Sequence, residues 1–506
     1  MNDLDDTALA QRPALACAAQ FIARYARLTP QATAIVEAGV YVGYAALAAD
    51  LLRYVWVLQQ IPLRPGALVG VETANRYLHT QLLLACEVIG AKSVSLTAWD
   101  LSAGNGYGCD LLLTGQAPAL YPKAQTLVMT SDWLSEVATQ AVAPADLALL
   151  EREIPGGQIV RIYRSSGTTG TPKMVTMSHA TQQLIVTRFM AAIADGLVPR
   201  PSYLCLYNLT LQSAYYRVLG ALQHGGLVHF TGANEAPGLV ESGAVNTAMF
   251  IMGDLQRLVQ SMRPPPVGHT LHIEAVGASV SPLLRQQIRG RLNAKFANYY
   301  SSSETGRMAL IGDDGVGTLV PGAEVRIVDE HGCDRPLGET GLIRVRTETM
   351  VEGYYNDPAQ TAANFVDGWF RTSDLGVMPA RGRLVILGRA DDMLNIGGVK
   401  FLPAPIEARI KTIDGVADAV LVSVEGAGEV ATVLVAIEAA NGTPPPGIKE
   451  HLNPILWPYV RTFAVLITPQ FPRTDNGKVR RKDVAAMYAQ VRAKPDRVIR
   501  SRAALP

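Results

Sequence analysis

The sequence predicts an α/β protein: a large N-terminal domain of layered α/β subdomains, closed by a small β-rich subdomain, followed by a small α+β C-terminal domain. Three observations predict it. A chain of 506 residues exceeds what one hydrophobic core supports, so at least two domains are expected. Apolar-periodic helical stretches alternate with short β-branched runs through the first half of the chain. The texture then changes twice, near Gly322 and again after Arg389.

Residues 45–60 carry helical periodicity, 67–72 read as a strand and 78–89 as a helix, the alternation of a layered domain. A second such unit opens with a strand at 158–163, which runs straight into a Ser/Gly/Thr loop. It continues through an extended run at 174–177 and a helix at 181–194, and residues 268–311 repeat strand, loop and helix. From about Gly322, short strands at 325–328, 341–346 and 384–387 with turn signals between them imply the β-rich subdomain. The final stretch of about 115 residues holds helical segments at 405–413 and 445–456 and β-rich segments at 417–424 and 431–437. The expected domains are therefore 1–390 and 391–506. The tail at 492–502 sets Arg492, Lys494, Arg497, Arg500 and Arg502 against Asp496 and reads as a solvated, frayed terminus.

Composition narrows the function classes. With 48% hydrophobic and 18% charged residues the chain fits a globular enzyme, and a formal net charge of +1 supplies no field for nucleic acid. Cys17, Cys86, Cys109, Cys205 and Cys333 form no Cys-x-x-Cys pair, and no His stands at metal-ligand spacing, so reduced and mostly buried thiols are expected. The acidic start lacks the basic and apolar segments of a secretory signal, which predicts a cytoplasmic protein. The apolar run 82–96 is interrupted by Glu87 and Lys92 and is too short for a membrane span.

Chemistry concentrates first in Ser165-Ser166-Gly167-Thr168-Thr169-Gly170-Thr171-Pro172-Lys173. Glycines let backbone N–H groups turn toward an anion, hydroxyls add donors, and Lys173 offers charge to a polyphosphate. The Gly-Lys-Ser/Thr entry into a helix that defines a Walker A loop is missing. Read alone, the segment fits either a phosphate cradle or an ordinary surface turn.

Four further segments resolve that choice by resemblance: Asn298-Tyr299-Tyr300-Ser301-Ser302-Ser303-Glu304-Thr305, then Asp367-Gly368-Trp369-Phe370-Arg371-Thr372-Ser373-Asp374, the run from Gly388 to Lys400, and Pro472-Arg473-Thr474-Asp475-Asn476-Gly477-Lys478. With the loop, they resemble in order and spacing the superfamily of acyl-CoA synthetases, non-ribosomal peptide synthetase adenylation domains and firefly-type luciferases. The resemblance spans roughly residues 20–485, with Met174 where glycine is usual. It implies ATP-phosphate binding by Ser165, Ser166, Gly167, Thr168, Thr169, Gly170, Lys173 and Ser303. It implies adenine and ribose contacts from Gly277, Ala278, Ser279, Asn298, Tyr299, Tyr300, Asp374, Ile386 and Arg389, and a Mg²⁺ ligand at Glu304. Asp391 becomes the hinge of a mobile C-terminal domain, Gly397, Gly398 and Lys400 line a tunnel for a pantetheine thiol, and Lys478 is the catalytic cation that meets charge at the α-phosphate.

The implied reaction activates a carboxylic acid as acyl-AMP and passes it to a thiol, with coenzyme A favoured and a carrier protein acting in trans as the alternative. A non-catalytic relative and a luciferase-like oxygenase are less favoured. Substrate choice rests on Gln212 and Ser301. Amino-acid-activating relatives place an aspartate at the position of Gln212, and an α-ammonium buried without it is costly. Ser301 replaces a pocket-opening glycine, so an aryl or medium-sized acyl acid is expected, and Thr210 stands where several CoA ligases have histidine.

Overall fold

The computed structural model describes residues 16–104, 107–116, 125–165, 173–194, 200–277, 280, 282–396, 398–425, 431–439, 443, 445–474, 477–492 and 499–502. Strands β1 (Thr33–Glu37) and β2 (Val40–Gly43) form a hairpin that ends at the helix Tyr44–Gln59. A six-stranded sheet follows, built from β3 (Leu68–Glu72), β4 (Lys92–Leu96), β5 (Leu111–Thr114), β6 (Gln125–Val128), β7 (Ile159–Ser165) and β8 (Lys173–Ser178). Its order is β6-β5-β3-β4-β7-β8, and every pair is parallel except β7 with β8.

A second parallel set comprises β9 (Ser202–Cys205), β10 (Leu227–Phe230), β11 (Thr247–Ile251), β12 (Leu271–Val276) and the first half of β13 (Ala294–Ser302), with β1 on its edge. The same sheet then turns antiparallel through β14 (Gly306–Ile311), β15 (Gly317–Leu319), β16 (Ala323–Val328), β17 (Thr340–Thr347), β18 (Phe365–Val366), β19 (Trp369–Ala380) and β20 (Arg383–Arg389). Parallel strands buried on both faces and a wetter antiparallel extension follow from what each run can cover with helices. The predicted β-rich region and the predicted unit at 268–311 are thus parts of one 14-stranded sheet, continuous across β13, while the predicted strands at 67–72 and 158–163 lie in the six-stranded sheet.

The hairpin β21 (Leu394–Ile396) and β22 (Val399–Phe401) leads into a four-stranded sheet of β23 (Val416–Glu425), β24 (Ala431–Ala439), β25 (Thr462–Thr468) and β26 (Ile499–Arg502). Alternation places Leu421, Val433, Val435 and Ile437 against the helices Pro403–Ile410 and Ile448–Leu456, and Val420, Val422, Leu434 and Ala436 against Arg481–Arg492. The tail predicted to be frayed differs: β26 pairs antiparallel with β25 from Thr462↔Arg502 to Val465↔Ile499. The edge of β25 offers unpaired backbone groups, and an extended segment satisfies them whatever its charge. Residues 493–498 lie outside the described residues.

Cys17, Cys86 and Cys205 are buried, Cys109 half-buried and Cys333 exposed, all as free thiols. Among the described residues no helix is long and apolar enough to cross a membrane. The six-stranded and 14-stranded sheets are joined by Arg161 of β7, 2% exposed, which donates to Ser93, Ser95 and the Leu209 carbonyl and lies over the Tyr215 ring at 4.5 Å. His79 shares Ser95 at 2.8 Å. Burial first, and then Arg161, depress its imidazole to about 3. The unfolded chain therefore takes up this proton near the ordinary 6.5 while the folded chain refuses it, so stability present above pH 6.5 is lost as pH falls toward 3. The slope is at most about 1.4 kcal/mol per pH unit. Comparing the urea midpoint at neutral and mildly acidic pH, the loss is expected to be smaller in His79→Gln than in the parent chain. Equal losses would assign acid sensitivity elsewhere.

Candidate active site

Residues 166–172 join two antiparallel strands pinned at Ser165↔Lys173. The far side of β8 is fixed by Tyr355 N–H donating to the Met174 carbonyl at 2.6 Å and by Thr176 N–H and Oγ1 both donating to the Gly353 carbonyl. Lys173 Nζ lies 4.9 Å from the centre of the Tyr354 ring, and the Tyr354 hydroxyl donates to Glu304 Oε1 at 3.2 Å. The lysine that closes the loop and the predicted metal-binding carboxylate therefore meet at one phenol. Burial, and then Glu304, hold that phenol well above the usual tyrosine range, so it acts as a donor. Ser303 is half-buried in the turn between β13 and β14. Ser166, Gly167, Thr168, Thr169 and Gly170 lie outside the described residues, as does the side chain of Ser165.

The opposite end of the site gathers on three strands. Asp374 of β19 sits directly across from Arg389 of β20, and Gly376 across from Ile386. The Tyr300 hydroxyl donates to Asp374 Oδ2 at 2.5 Å, while Tyr300 and Ile386 pack on the same apolar cluster. Asp374 is thus held as an acceptor of hydroxyl donors at the surface of an apolar shelf. Arg389, predicted at the ribose, forks onto Asp391 through two bonds of 2.8 Å, so the predicted nucleotide and hinge residues are tied together. Asn298 is engaged beneath this shelf, accepting from Arg285 at 3.1 Å and donating to the Ala275 carbonyl at 3.1 Å. Gly277 follows β12 directly with φ +88, a backbone conformation that favours glycine. Ala278 and Ser279 lie outside the described residues.

At the acid end, Gln212 opens the helix Gln212–Gln223 and donates from Nε2 to the Tyr216 hydroxyl at 2.7 Å. Thr210 N–H donates to Asn208 Oδ1. Ser301 faces Arg307 across β13 and β14. Arg307 and Arg217 both pair with the Glu274 carboxylate beside a cavity of about 360 Å³ that Tyr299 also lines. Sequence reading overlooked this cluster and Tyr354. A glutamate flanked by Ile273 and Ala275 inside the strand Leu271–Val276 was the available signal for the first, and Tyr354 offered none.

Lys478 lies on a turn that follows β25. Thr474 N–H donates to the Lys478 carbonyl at 2.8 Å and Lys478 N–H to Thr474 Oγ1, closing a tight turn. Gly477 has φ +75, and a Cβ there would meet Ile251 at 3.2 Å, so the turn rests on the C-terminal end of β11. In parallel sheets that end is where ligands bind. Lys478 is exposed, and Lys400 is exposed opposite Asn395 on the β21–β22 hairpin, whose turn includes Gly398 at φ +88. Gly397 lies outside the described residues. The structure therefore brings Lys173 and Glu304 together at Tyr354, and Tyr300, Asp374, Arg389 and Asp391 together on β13, β19, β20 and the turn after β20, with the turn that bears Lys478 on the C-terminal end of β11.

The family model for AMP-binding enzymes matches residues 22–355. The 2-hydroxy-7-methoxy-5-methyl-1-naphthoate–CoA ligase of Streptomyces carzinostaticus is 27% identical over 92% of this chain and 92% of its own length. The 3-hydroxybenzoate–CoA ligase of Aromatoleum sp. (strain CIB) is 29% identical over 68% of this chain and 67% of its own. Among solved structures, ATP-bound MatB from Rhodopseudomonas palustris superposes with a TM-score of 0.78 at 22% identity, covering 94% of this chain and 99% of that one.

Proposed function

From its membership of the AMP-binding enzyme family, to which this chain belongs, we propose that it activates an aryl or medium-sized acyl carboxylic acid with ATP and transfers the acyl group to coenzyme A. The observation that carries the reading is the meeting of Lys173 and Glu304 at Tyr354 on one side of β13, with the Tyr300–Asp374 pair on the other. A cation and a carboxylate suit a metal-bearing polyphosphate, and a carboxylate on an apolar shelf suits a ribose beside a stacked base. The two curated relatives named above are CoA ligases of aromatic acids, which supports an aromatic acid and coenzyme A here.

The residues fit magnesium. Mg²⁺ is held by one or two carboxylates together with substrate phosphates, and Glu304 supplies an oxygen beside the Lys173 strand. When bound it offsets charge on the triphosphate. The substrate carboxylate attacks the α-phosphorus, the bond to pyrophosphate breaks, and acyl-AMP forms. Negative charge gathers on the phosphoryl oxygens, and we assign Lys478 as the cation that meets it. The thiol then attacks the acyl carbon and AMP leaves. We assign that step to the face of the small domain carrying Gly397, Gly398 and Lys400, presented by rotation about Asp391, with domains dividing at 390/391. An α-amino acid is disfavoured, because Gln212 offers an amide already bonded to Tyr216 where an ammonium needs a carboxylate.

The test is carboxylate-dependent ATP–pyrophosphate exchange over aryl, fatty and amino acids, followed by AMP release with and without coenzyme A. Exchange with an aryl or medium acyl acid and CoA-stimulated release are expected. Absence of exchange with every acid overturns the reading, and release stimulated only by a carrier protein replaces coenzyme A with that acceptor.

A further inference from the structure

The cavity beside β13 is lined by Arg217, Arg307, Lys295 and His272 with a single carboxylate, Glu274. Three cations face one anion. Glu274 and Ala297 are register partners, and Ala297 and Tyr299 line the cavity from alternate positions of β13, just before the register shifts between Tyr300 and Ser301. Arg307, the register partner of Ser301, lines the cavity and so ties it to the position expected to shape the acid pocket.

Two guanidiniums converge on one oxygen. Arg217 Nη2 lies 2.7 Å from Glu274 Oε2, and Arg307 Nη2 pairs with the same atom. The planes are packed against rings, Arg307 at 3.7 Å from the Phe189 centroid and 4.2 Å from Tyr299, and Arg217 at 4.3 Å from Phe189. The buried Arg307 Nε has no hydrogen-bond partner. A buried cation excess with an unused donor is unfavourable by itself and is relieved by an anion that accepts from it. A cavity of about 360 Å³ also falls at the small end of ligand sites, suited to one ring or a short chain.

We propose that the preferred substrate carries a second acidic group at its non-reacting end, bound in this cavity by Arg307 and Arg217. The inference rests on the carboxylate-activating reading above and deepens it. Glu274 holds the two guanidiniums together through one oxygen in the free protein, and the incoming anion takes the donors that Glu274 leaves. Arg307 then acts as a specificity residue remote from the reacting carboxylate.

The experiment measures ATP–pyrophosphate exchange with linear α,ω-dicarboxylic acids and terephthalate, each against its mono-methyl ester. The best diacid is expected to exceed its half-ester in kcat/KM by about tenfold or more, the range of a charge-assisted pair. In Arg307→Met, which leaves Arg217 and Glu274 as a neutral pair, the ratio falls toward one. In Glu274→Gln, which keeps both cations, it rises, so this variant carries the test if Arg307→Met fails to fold. Half-esters or simple monoacids that react as well as diacids, or a ratio unmoved by both variants, overturn the proposal while leaving acid activation standing. No exchange with any acid overturns both.

Discussion

Lys478→Ala is expected to slow carboxylate-dependent ATP–pyrophosphate exchange by about a thousandfold, the scale of removing a fixed charge that meets a developing oxyanion. The turn bearing Lys478 is rigid enough for such a role. Arg473 anchors it through Asp418 at 2.8 Å and Glu438 at 2.9 Å, and Arg473 pairs with Val479 in an isolated bridge. Gly477 seats it on Ile251, at the rim of the parallel strands. The side chain is exposed and stabilises no core, so the thermal midpoint of the variant is expected to match the parent chain. Thioester formation from a synthetic acyl-adenylate, which needs no new charge at phosphorus, is expected to fall less than about tenfold. Equal losses in both half-reactions would make the lysine a general binding or folding residue.

Asp374→Ala is expected to raise the KM for ATP by roughly a hundredfold, the loss of about two charge-assisted hydrogen bonds to ribose hydroxyls. Tyr300 already uses one oxygen of this carboxylate, and burial followed by Asp374 holds the phenol well above its usual range. The phenol thus remains a donor at working pH, and Tyr300→Phe is expected to cost far less than Asp374→Ala because the carboxylate stays in place. Titrating exchange rate against ATP concentration for both variants checks this. A loss in Asp374→Ala confined to the acid's KM would move Asp374 out of the nucleotide site.

The elements were legible because periodicity and turn chemistry are local. The helices at Tyr44–Gln59 and Arg76–Ile89, the strands β7 and β8, and the strands β23 and β24 all stand where pattern predicts them. Motif order was legible for the same reason, since each phosphate or ribose segment is a short run on one turn. The tail was not, because whether Ile499–Arg502 pairs depends on an open edge at β25, which those residues do not encode. Nor was the link from Lys173 to Glu304, which passes through Tyr354 on a segment with no chemical signature.

The sequence by itself determined an α/β chain and, by resemblance, nominated the Ser/Gly/Thr loop, Asp374 and Lys478 for the site, because those segments are spelled in contiguous residues. Only the tertiary structure decided that Arg389 is forked on Asp391 and that Arg217, Glu274 and Arg307 share one cavity. Charge is tolerated inside a protein only when partners from separate elements converge, and Glu274 and Arg307, 33 residues apart, become partners only once β12, β13 and β14 are aligned in register.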